Sequence, residues 1–260
     1  MTDASFDGVL LEPDAEAGIS TPGWAAARDP VEALRRRYGG LDAEGLLEVM
    51  VRHVFAGRIA LVSSFGAESA VLLDLVARVD RATPVLFIDT GQLFEETLRY
   101  RDALAARLGL TELRILRPEP ARIAEQDPDG QLWYFDPDAC CALRKVAPLA
   151  LGLEGFDAWI NGRKRFQGGL RGNLPTIQAG PDGRVKLNPL AGWSRDRIEA
   201  HFAAAGLPRH PLEVHGFRSI GCLPCTDKVG PGEDPRAGRW RNRPKTECGI
   251  HLPELGSPAP

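Results

Sequence analysis

Five cysteines are the residues of this sequence best suited to chemistry, and four of them form two pairs. Cys140 and Cys141 are adjacent, whereas two residues separate Cys222 from Cys225. Four thiolates in this arrangement could bind one zinc ion or the irons of an iron–sulfur cluster. Adjacent Cα atoms lie only about 3.8 Å apart and helical neighbours point about 100° away from each other, which makes joint binding of one ion awkward. The adjacent pair therefore favours a cluster, in which two irons each take one sulfur.

A redox function is the main alternative for the second pair. The spacing of Cys222 and Cys225 also occurs in thioredoxin-type dithiols, which lie at a strand-to-helix junction. Here the pair is followed by Thr226, Asp227 and Lys228 without a helical pattern. We therefore favour an iron–sulfur site over both a zinc site and a redox pair.

The fifth cysteine, Cys248, lies alone near the end of the chain. An isolated cysteine is often inert, but Lys245 and His251 are close in sequence and would favour its thiolate form, although Glu247 opposes them. Because the other four thiols are assigned as ligands, we predict that Cys248 is a catalytic nucleophile and that His251 assists it.

A loop rich in serine and glycine is the strongest candidate for anion binding. Ser63, Ser64, Gly66 and Ser69 follow the apolar run 59–62 and precede a helical pattern. Backbone N–H groups and hydroxyls at the start of a helix bind anions, because the helix dipole is positive there. The loop has neither the Gly-Lys-Ser/Thr of a Walker P-loop nor a Gly-x-Gly-x-x-Gly fingerprint. It therefore predicts a nucleotide site of another kind.

Six cations fall in loops or helix starts near this predicted site. Singly, each could be a solvated surface charge, but together they could oppose a phosphate and a sulfate through charge-assisted hydrogen bonds. The set consists of Lys145, Lys164, Arg165, Arg171, Arg236 and Arg239.

The elements that must position these residues alternate between strands and helices. This alternation predicts an α/β fold in which a mostly parallel twisted sheet is flanked by helices, with sites at the carboxyl ends of the strands. Asp138 is the predicted N-cap of the helix that carries Cys140 and Cys141. The predicted strands are 59–62, 85–88, 114–116 and 158–161, with 185–187 as an edge strand, and the predicted helices include 31–38, 93–108 and one capped by Ser194.

Composition narrows the function classes. The net charge of −3 over 260 residues provides no general basic field, which argues against a nucleic-acid partner. No run of about 18 apolar residues occurs, so no membrane span is expected. The first residues are acidic, unlike a secretory signal, and the odd cysteine count does not suit a disulfide framework. These features predict a cytoplasmic protein.

Three regions are expected. Residues 1–40 form a loose leader with a short helix, residues 41–225 form a nucleotide-binding domain with the iron–sulfur site, and residues 226–260 form a flexible catalytic tail. The last boundary follows the loss of periodicity and the frequent Gly and Pro residues.

Several of these motifs together strongly resemble the assimilatory adenylyl-sulfate reductases, a family within the ATP-pyrophosphatase-like superfamily. The likeness covers roughly residues 45–252, and its most specific part is the two cysteine pairs with a terminal Glu-Cys-Gly-x-His. The matching stretches are Ser64 to Ser69, Phe87 to Gly91, Cys140-Cys141 with Lys145, Ile220 to Cys225, Arg236 to Trp240 and Glu247 to His251.

The resemblance implies an adenine nucleotide alpha-hydrolase-like fold and a 4Fe-4S cluster on Cys140, Cys141, Cys222 and Cys225. It also implies that Cys248 is the nucleophile, that Lys145 links cluster and substrate, and that Asp89 belongs to the substrate site. The expected reaction converts adenylyl sulfate to sulfite and AMP through an S-sulfocysteine on Cys248 during sulfate assimilation and cysteine biosynthesis. No resolving cysteine remains in the chain, so thioredoxin or glutaredoxin is the expected external reductant. A homo-oligomer is left open.

Other functions stay open at this point. The substrate could be the 3′-phosphorylated nucleotide, or both nucleotides. An ATP-dependent sulfur-inserting enzyme is less favoured, because Phe65 and Glu68 replace the glycine and aspartate of the superfamily's Ser-Gly-Gly-x-Asp-Ser loop. Gly168 replaces a serine of the family's basic loop. A zinc-stapled module without catalysis is the alternative from another class.

Overall fold

One sheet of six short strands organises the part of the chain that the computed structural model describes, which comprises residues 29–180, 182–243, 245 and 247–251. The strands are β1 (Ile59–Val62), β2 (Val85–Ile88), β3 (Leu113–Leu116), β4 (Ala158–Ile160), β5 (Ile177–Ala179) and β6 (Val185–Leu187). Their order in the sheet is β3-β2-β1-β4-β6-β5, and all neighbours are parallel except β5 and β6. The prediction of a mostly parallel α/β fold is confirmed.

Helices cover both faces of this sheet, which is what its buried parallel strands require. The α-helices are α1 (Pro30–Tyr38), α2 (Ala43–Val49), α3 (Ser69–Val79), α4 (Glu95–Leu108), α5 (Pro120–Gln126), α6 (Leu132–Phe135), α7 (Pro137–Cys141), α8 (Ala147–Gly152) and α9 (Arg195–Ala204). Short π-helical segments extend α2 (Met50–Val54) and α7 (Ala142–Val146). Within the described residues, no helix is long and apolar enough to cross a membrane.

The alternation of side chains along β1 divides the core in two. Ile59 and Leu61 pack into a large apolar cluster with residues of α2, α3, α4 and α9. Ala60 and Val62 point to the opposite face, where Trp159 of β4 and residues of α8 form a smaller cluster. Because successive strand residues face opposite sides, one four-residue strand joins both halves of the core.

Two sequence predictions about local structure were wrong. The segment Val185–Leu187 is not an edge strand, because β6 lies between β4 and β5, and β5 forms the edge instead. Asp138 is not the N-cap of α7. The cap is Asp136, whose carboxylate accepts hydrogen bonds from the backbone N–H groups of Asp138 and Ala139 at 3.1 and 2.9 Å. Pro137 then takes the first helical position, which suits its fixed φ and its missing N–H group.

The described part of the tail packs against the domain. Trp240 is buried and its backbone N–H donates to the Cys225 carbonyl at 3.2 Å, while a β-bridge between Thr226 and Arg239 joins two parts of the tail. Lys245 forms an ion pair with Asp138 beside the cysteine helix. The predicted loose leader falls mostly on residues 1–28, and the last residues, 252–260, also lie outside the described residues.

Candidate active site

A cleft of about 250 Å³ opens at the carboxyl ends of β1, β2 and β4. Parallel strands with helices on both faces present their sites at this edge, as the alternation of elements predicts. The cleft brings together twelve of the residues that the sequence singled out. These are Ser63, Ser64, Gly66, Ser69, Lys145, Lys164, Arg171, Cys222, Arg236, Arg239, Cys248 and His251.

The serine-rich loop runs from the end of β1 to the start of α3. The Ser63 hydroxyl accepts a hydrogen bond from the Phe65 N–H at 3.2 Å, which stabilises the turn. Phe65 has a φ of +47°, and its fully buried ring packs edge-on against Phe87 with centroids 5.6 Å apart. The aromatic residue at this position therefore fills the core, while Ser64 and Gly66 line the cleft.

Lys164 is held by the loop that it faces. Its ammonium donates to Glu68 Oε2 at 2.7 Å, and the lysine is only 3% exposed. Burial lowers the pKa of Lys164, while the neighbouring Glu68 carboxylate opposes that shift. An ion pair between two residues that line the cleft thus joins the basic segment after β4 to the loop after β1.

The basic segment also corrects the choice of cations. Arg163 lines the cleft, although sequence reasoning chose its neighbours. Arg165 faces elsewhere and donates from Nε to the Leu174 carbonyl at 2.8 Å. Burial, and then the nearby Arg171 guanidinium, lowers the pKa of Arg163 to about 10. Two further unpredicted arginines, Arg195 and Arg218, line the same cleft.

Asp89 does not line the cleft. Its carboxylate accepts from Arg117 Nε at 3.1 Å and from the Gly91 N–H at 3.2 Å. The residue after β2 therefore stabilises its own turn, and the neighbouring Thr90 is the one that reaches the cysteine site.

The four paired cysteines line a second, smaller cavity next to the cleft. Cys140, Cys141 and Cys222 are buried, and Cys225 is half-buried. The second pair is placed by a β-bridge between Cys222 and Leu93 and by the Leu223 N–H, which donates to the Gln92 carbonyl at 2.7 Å. Two cysteine pairs with 80 residues between them in sequence are therefore brought together by the turn that follows β2.

The surroundings of the paired cysteines shift the pKa of their thiols in different directions. Burial and the nearby thiols of Cys141 and Cys222 raise the pKa of Cys140 to about 12. The pKa of Cys222, in contrast, is lowered. Although burial alone would raise its pKa, the Lys145 ammonium and the Thr90 hydroxyl, at 3.3 Å, lower it. The π-helical segment after α7 carries Lys145, whose Nζ lies 3.9 Å from Cys141 Sγ.

Lys145 faces both cavities. It lines the cleft with Cys248 and lines the smaller cavity with the paired cysteines. Burial would lower the pKa of Lys145, but the thiolates of Cys222, Cys248 and Cys141 raise it above its ordinary value. The lysine is therefore a cation placed between the predicted nucleophile and the predicted ligands.

The tail forms the other wall of the cleft. Cys248 is half-buried there. Two residues on, the Ile250 side chain packs against the smaller apolar cluster, and the His251 imidazole stacks on Trp159. Burial, followed by the positive charges of Lys186 and Arg163, holds the pKa of His251 well below its usual range. His251 is therefore neutral at pH 7.

A buried lysine behind the cleft was missed by the sequence analysis. Lys186 of β6 is 0% exposed, and its Nζ has no hydrogen-bond partner among the residues that the structure describes. The ammonium lies 4.4 Å from the centre of the Trp159 ring. Burial and the Arg163 charge lower its pKa to about 7. The alternation of strand residues gave no signal for a charged side chain on this central strand.

Comparison with known proteins places these features in one family. The family profile described as the phosphoadenosine phosphosulfate reductase domain matches residues 58–228. A relative from Mesorhizobium japonicum named adenosine 5′-phosphosulfate reductase is 49% identical over 238 residues, covering 92% of both chains. One of the same name from Chelativorans sp. is 50% identical over 229 residues, covering 86% of this chain and 93% of that one.

Two further comparisons bear on substrate and fold. A relative from Gloeobacter violaceus, 39% identical over 235 residues and covering 88% of this chain and 97% of its own, is named phosphoadenosine 5′-phosphosulfate reductase. The crystal structure of phosphoadenylyl-sulfate reductase from Candida auris superposes with a TM-score of 0.65. It covers 78% of this chain and 98% of its own at 24% identity, which supports the fold alone.

Proposed function

This chain belongs to the phosphoadenosine phosphosulfate reductase domain family, and from this membership we propose that it reduces adenylyl sulfate to sulfite and AMP in sulfate assimilation. The observation that carries the proposal is that Cys248 lines the same cleft as the serine-rich loop and Lys145. The two relatives at 49% and 50% identity are named for the non-phosphorylated nucleotide, which favours adenylyl sulfate as the substrate.

The loop after β1 is the proposed nucleotide site. Ser64, Gly66 and Ser69 lie where α3 begins, so hydroxyls, backbone N–H groups and the positive end of an 11-residue helix face the cleft. Gly66 leaves little room for a larger residue, since a Cβ there would lie 3.1 Å from the Ile220 carbonyl oxygen. These features support binding of the nucleotide along the loop.

The proposed reaction starts with the Cys248 thiolate. Its sulfur attacks the sulfur atom of adenylyl sulfate, the bond from that atom to the bridging oxygen breaks, and AMP leaves with the electron pair of the broken bond. Cys248 then carries a sulfonate as S-sulfocysteine. Lys145, Arg236 and Arg239 line the cleft and would stabilise the charge that grows on the leaving phosphate.

Arg239 is placed for this role by a glycine. Its guanidinium lies so close to Gly221 that any side chain at position 221 would collide with it. The guanidinium also lies 4.5 Å from the centre of the Trp240 ring. The absence of a side chain at Gly221 and the ring face of Trp240 together determine the position of the Arg239 guanidinium. This supports the assignment of Arg239 to the anion site.

His251 has a positioning role in this scheme. A catalytic role was predicted because His251 lies close to Cys248 in sequence, and in the structure its imidazole stacks on Trp159 while burial keeps its pKa below the usual range. We assign it to anchoring the tail beside Cys248.

The residues of the smaller cavity fit an iron–sulfur cluster in their chemistry. Among the described residues, no group of three or more His, Cys, Asp or Glu is arranged to hold a metal ion, so the support for a cluster is the chemistry of the four thiols and their common cavity. Tetrahedral zinc with sulfurs about 2.3 Å away requires all four within about 3.8 Å of one another, whereas a cluster binds each sulfur at a separate iron. Four thiols around one cavity, with Lys145 beside them, therefore suit a 4Fe-4S cluster on Cys140, Cys141, Cys222 and Cys225. When bound, the cluster would add structural cohesion and a local charge next to Lys145.

The second half of the reaction needs an external dithiol. One thiolate of thioredoxin or glutaredoxin attacks Cys248 Sγ, sulfite leaves, and the second thiol of the reductant releases Cys248 by forming a disulfide. The proposal assigns the other four cysteines to the cluster, so no thiol of this chain takes that part. A flexible tail, a cytoplasmic location and the oligomeric state remain predictions that accompany this scheme.

The test is sulfite production from adenylyl sulfate and from its 3′-phosphorylated form, measured side by side on anaerobically purified protein with a thioredoxin system. We expect sulfite and AMP, with the larger kcat/KM for adenylyl sulfate. A larger kcat/KM for the phosphorylated nucleotide would reverse the substrate assignment. Absence of sulfite from both nucleotides, with AMP or pyrophosphate released from ATP, would refute the function.

A further inference from the structure

Glu247 directly precedes Cys248 and is fixed to the domain by one arginine. Nε and Nη2 of Arg171 donate to the two carboxylate oxygens of Glu247 at 2.6 and 2.7 Å. The two side chains are only 10% and 8% exposed. Two parallel charge-assisted hydrogen bonds fix the direction of a carboxylate as well as its position. They therefore restrain the backbone to which Cys248 is attached.

Arg171 is held from its other side as well. Its Nη1 donates to Gln167 Oε1. Gln167 Nε2 in turn lies 3.3 Å from Oε2 of Glu68, the residue just before α3. A continuous series of hydrogen bonds thus runs from the proposed nucleotide loop through Gln167 and Arg171 to Glu247.

All three guanidinium nitrogens of Arg171 already donate to protein groups in this arrangement. Three of the five N–H groups of Arg171, one on each nitrogen, are used in this way, so most of its hydrogen-bonding capacity goes to Glu247 and Gln167. Arg163 and Arg236 line the same cleft, and Arg236 lies 3.6 Å from Glu247. The cleft therefore offers the substrate cations besides Arg171.

Neighbouring arginines keep the Glu247 carboxylate ionised. Burial would raise the pKa of Glu247, but the hydrogen bonds from Arg171 and the charges of Arg171, Arg236 and Arg163 lower it below its usual range. The pair is thus ionised at pH 7. Removing one partner would leave a buried charge without its counterion, which is strongly unfavourable.

We propose that Glu247 is a positioning residue for Cys248, and that Arg171 serves to hold Glu247 in place. This inference rests on the proposed function only in taking Cys248 as the nucleophile. Gln167 and Glu68 fix Arg171, so the nucleotide loop and the nucleophile share one rigid support.

The test is a cycle of Glu247→Gln, Arg171→Gln and the double variant, with two measurements on full-length protein. The first is the rate at which iodoacetamide alkylates Cys248 without substrate, followed by mass spectrometry of the Cys248 peptide. Each single variant should react about tenfold faster, and the double variant no faster than the quicker single one, because both changes remove the same contact. The second is steady-state kinetics, in which kcat should fall about tenfold while KM for adenylyl sulfate stays within about twofold.

Two further variants make the result decisive. Arg241→Gln removes an exposed ion pair of the same tail segment, Arg241 with Glu233 at 3.2 Å, and should match the unaltered protein in both measurements. Glu247→Asp keeps the charge but shortens the side chain by one methylene, so it should fold even where the neutral variants do not. Its alkylation rate should rise less than that of Glu247→Gln, and its kcat should fall with KM unchanged.

Three results would overturn the proposal. They are an unchanged alkylation rate in all Glu247 variants, a rise in KM at constant kcat in Arg171→Gln, and additive effects in the double variant. Should the unaltered protein make no sulfite, the proposed function fails, yet the alkylation cycle still tests whether the pair positions Cys248.

Discussion

His251 stacks on Trp159 with ring centroids 5.8 Å apart and the ring planes inclined by only 12°. Trp159 belongs to a central strand, whereas His251 lies three residues after Cys248 in the tail. The contact therefore joins the rigid sheet to the segment that carries the nucleophile. Together with the pair of Arg171 and Glu247, it gives the tail one anchor on each side of Cys248.

Removing the Trp159 indole should weaken the attachment of His251, and with it the tail, to the sheet. Trp159→Leu removes the stacking surface, so we expect Cys248 to be alkylated several-fold faster and kcat to fall. Trp159→Phe is the matched control, because it keeps an aromatic face and should retain most of the activity. Equal alkylation rates in both variants and in the unaltered protein would show that the stack does not restrain the tail. Thermal unfolding of both variants separates this effect from general destabilisation, since Trp159 is also a core residue.

The buried ammonium of Lys186 should reduce stability in a pH-dependent way. Its pKa of about 7 in the folded protein lies below its ordinary value of 10.5. Below pH 7 both folded and unfolded chains carry the proton, and the full cost of burying the charge is present. Between pH 7 and 10.5 the unfolded chain binds more protons than the folded one, so stability rises with pH.

Lys186→Met isolates this contribution, because it preserves most of the volume and removes the charge. We expect the variant to be more stable by roughly 1–3 kcal/mol at pH 6, and the difference to shrink as the pH approaches 10. Chemical denaturation at several pH values measures it. A variant that is less stable at pH 6 would mean that attraction of the ammonium to the Trp159 ring outweighs the cost of its burial.

A methyl group at position 221 should displace Arg239 from the proposed anion site. Gly221→Ala is expected to raise KM for adenylyl sulfate by about tenfold, which corresponds to the loss of one charge-assisted hydrogen bond. The control is Gly230→Ala, because a Cβ at Gly230 would meet nothing closer than 3.7 Å. Iron content should be measured in both variants, since Gly221 adjoins Cys222. Unchanged kinetics in Gly221→Ala would remove Arg239 from the substrate site.

Much of the fold could be predicted because it depends on local patterns. Apolar runs such as 59–62 and 85–88 followed by helical periodicity define β1, β2 and the helices after them. Strand β5 escaped prediction because it has three residues, one of them exposed, and it is held mainly by antiparallel pairing with β6. Pairing between distant strands leaves no periodic signal in so short a segment.

The sequence predicted which kinds of residue form the site, but not which individual side chains line the cleft. Cysteine pairing and the basic segment pointed to residues that the fold brings together, but Arg165 begins a short 3-10 helix, Arg165–Gln167, in which the chain changes direction. Arg163 therefore lines the cleft, while Arg165 caps the Leu174 carbonyl, and their residue type could not distinguish them. Glu247 was considered only as a charge that opposes the Cys248 thiolate. Its pairing with Arg171 spans 76 residues and could not be read from spacing.

The central claim is that Cys248 accepts the sulfonate group, and it can be tested directly. Protein freed of reductant under anaerobic conditions is incubated with adenylyl sulfate, digested and examined by mass spectrometry. We predict an added SO₃ mass on the Cys248 peptide, in amounts matching the AMP released, and neither product in Cys248→Ser, whose iron content and cluster absorbance should be unchanged. Release of AMP without added mass on Cys248, or a sulfonate on another cysteine, would contradict the account.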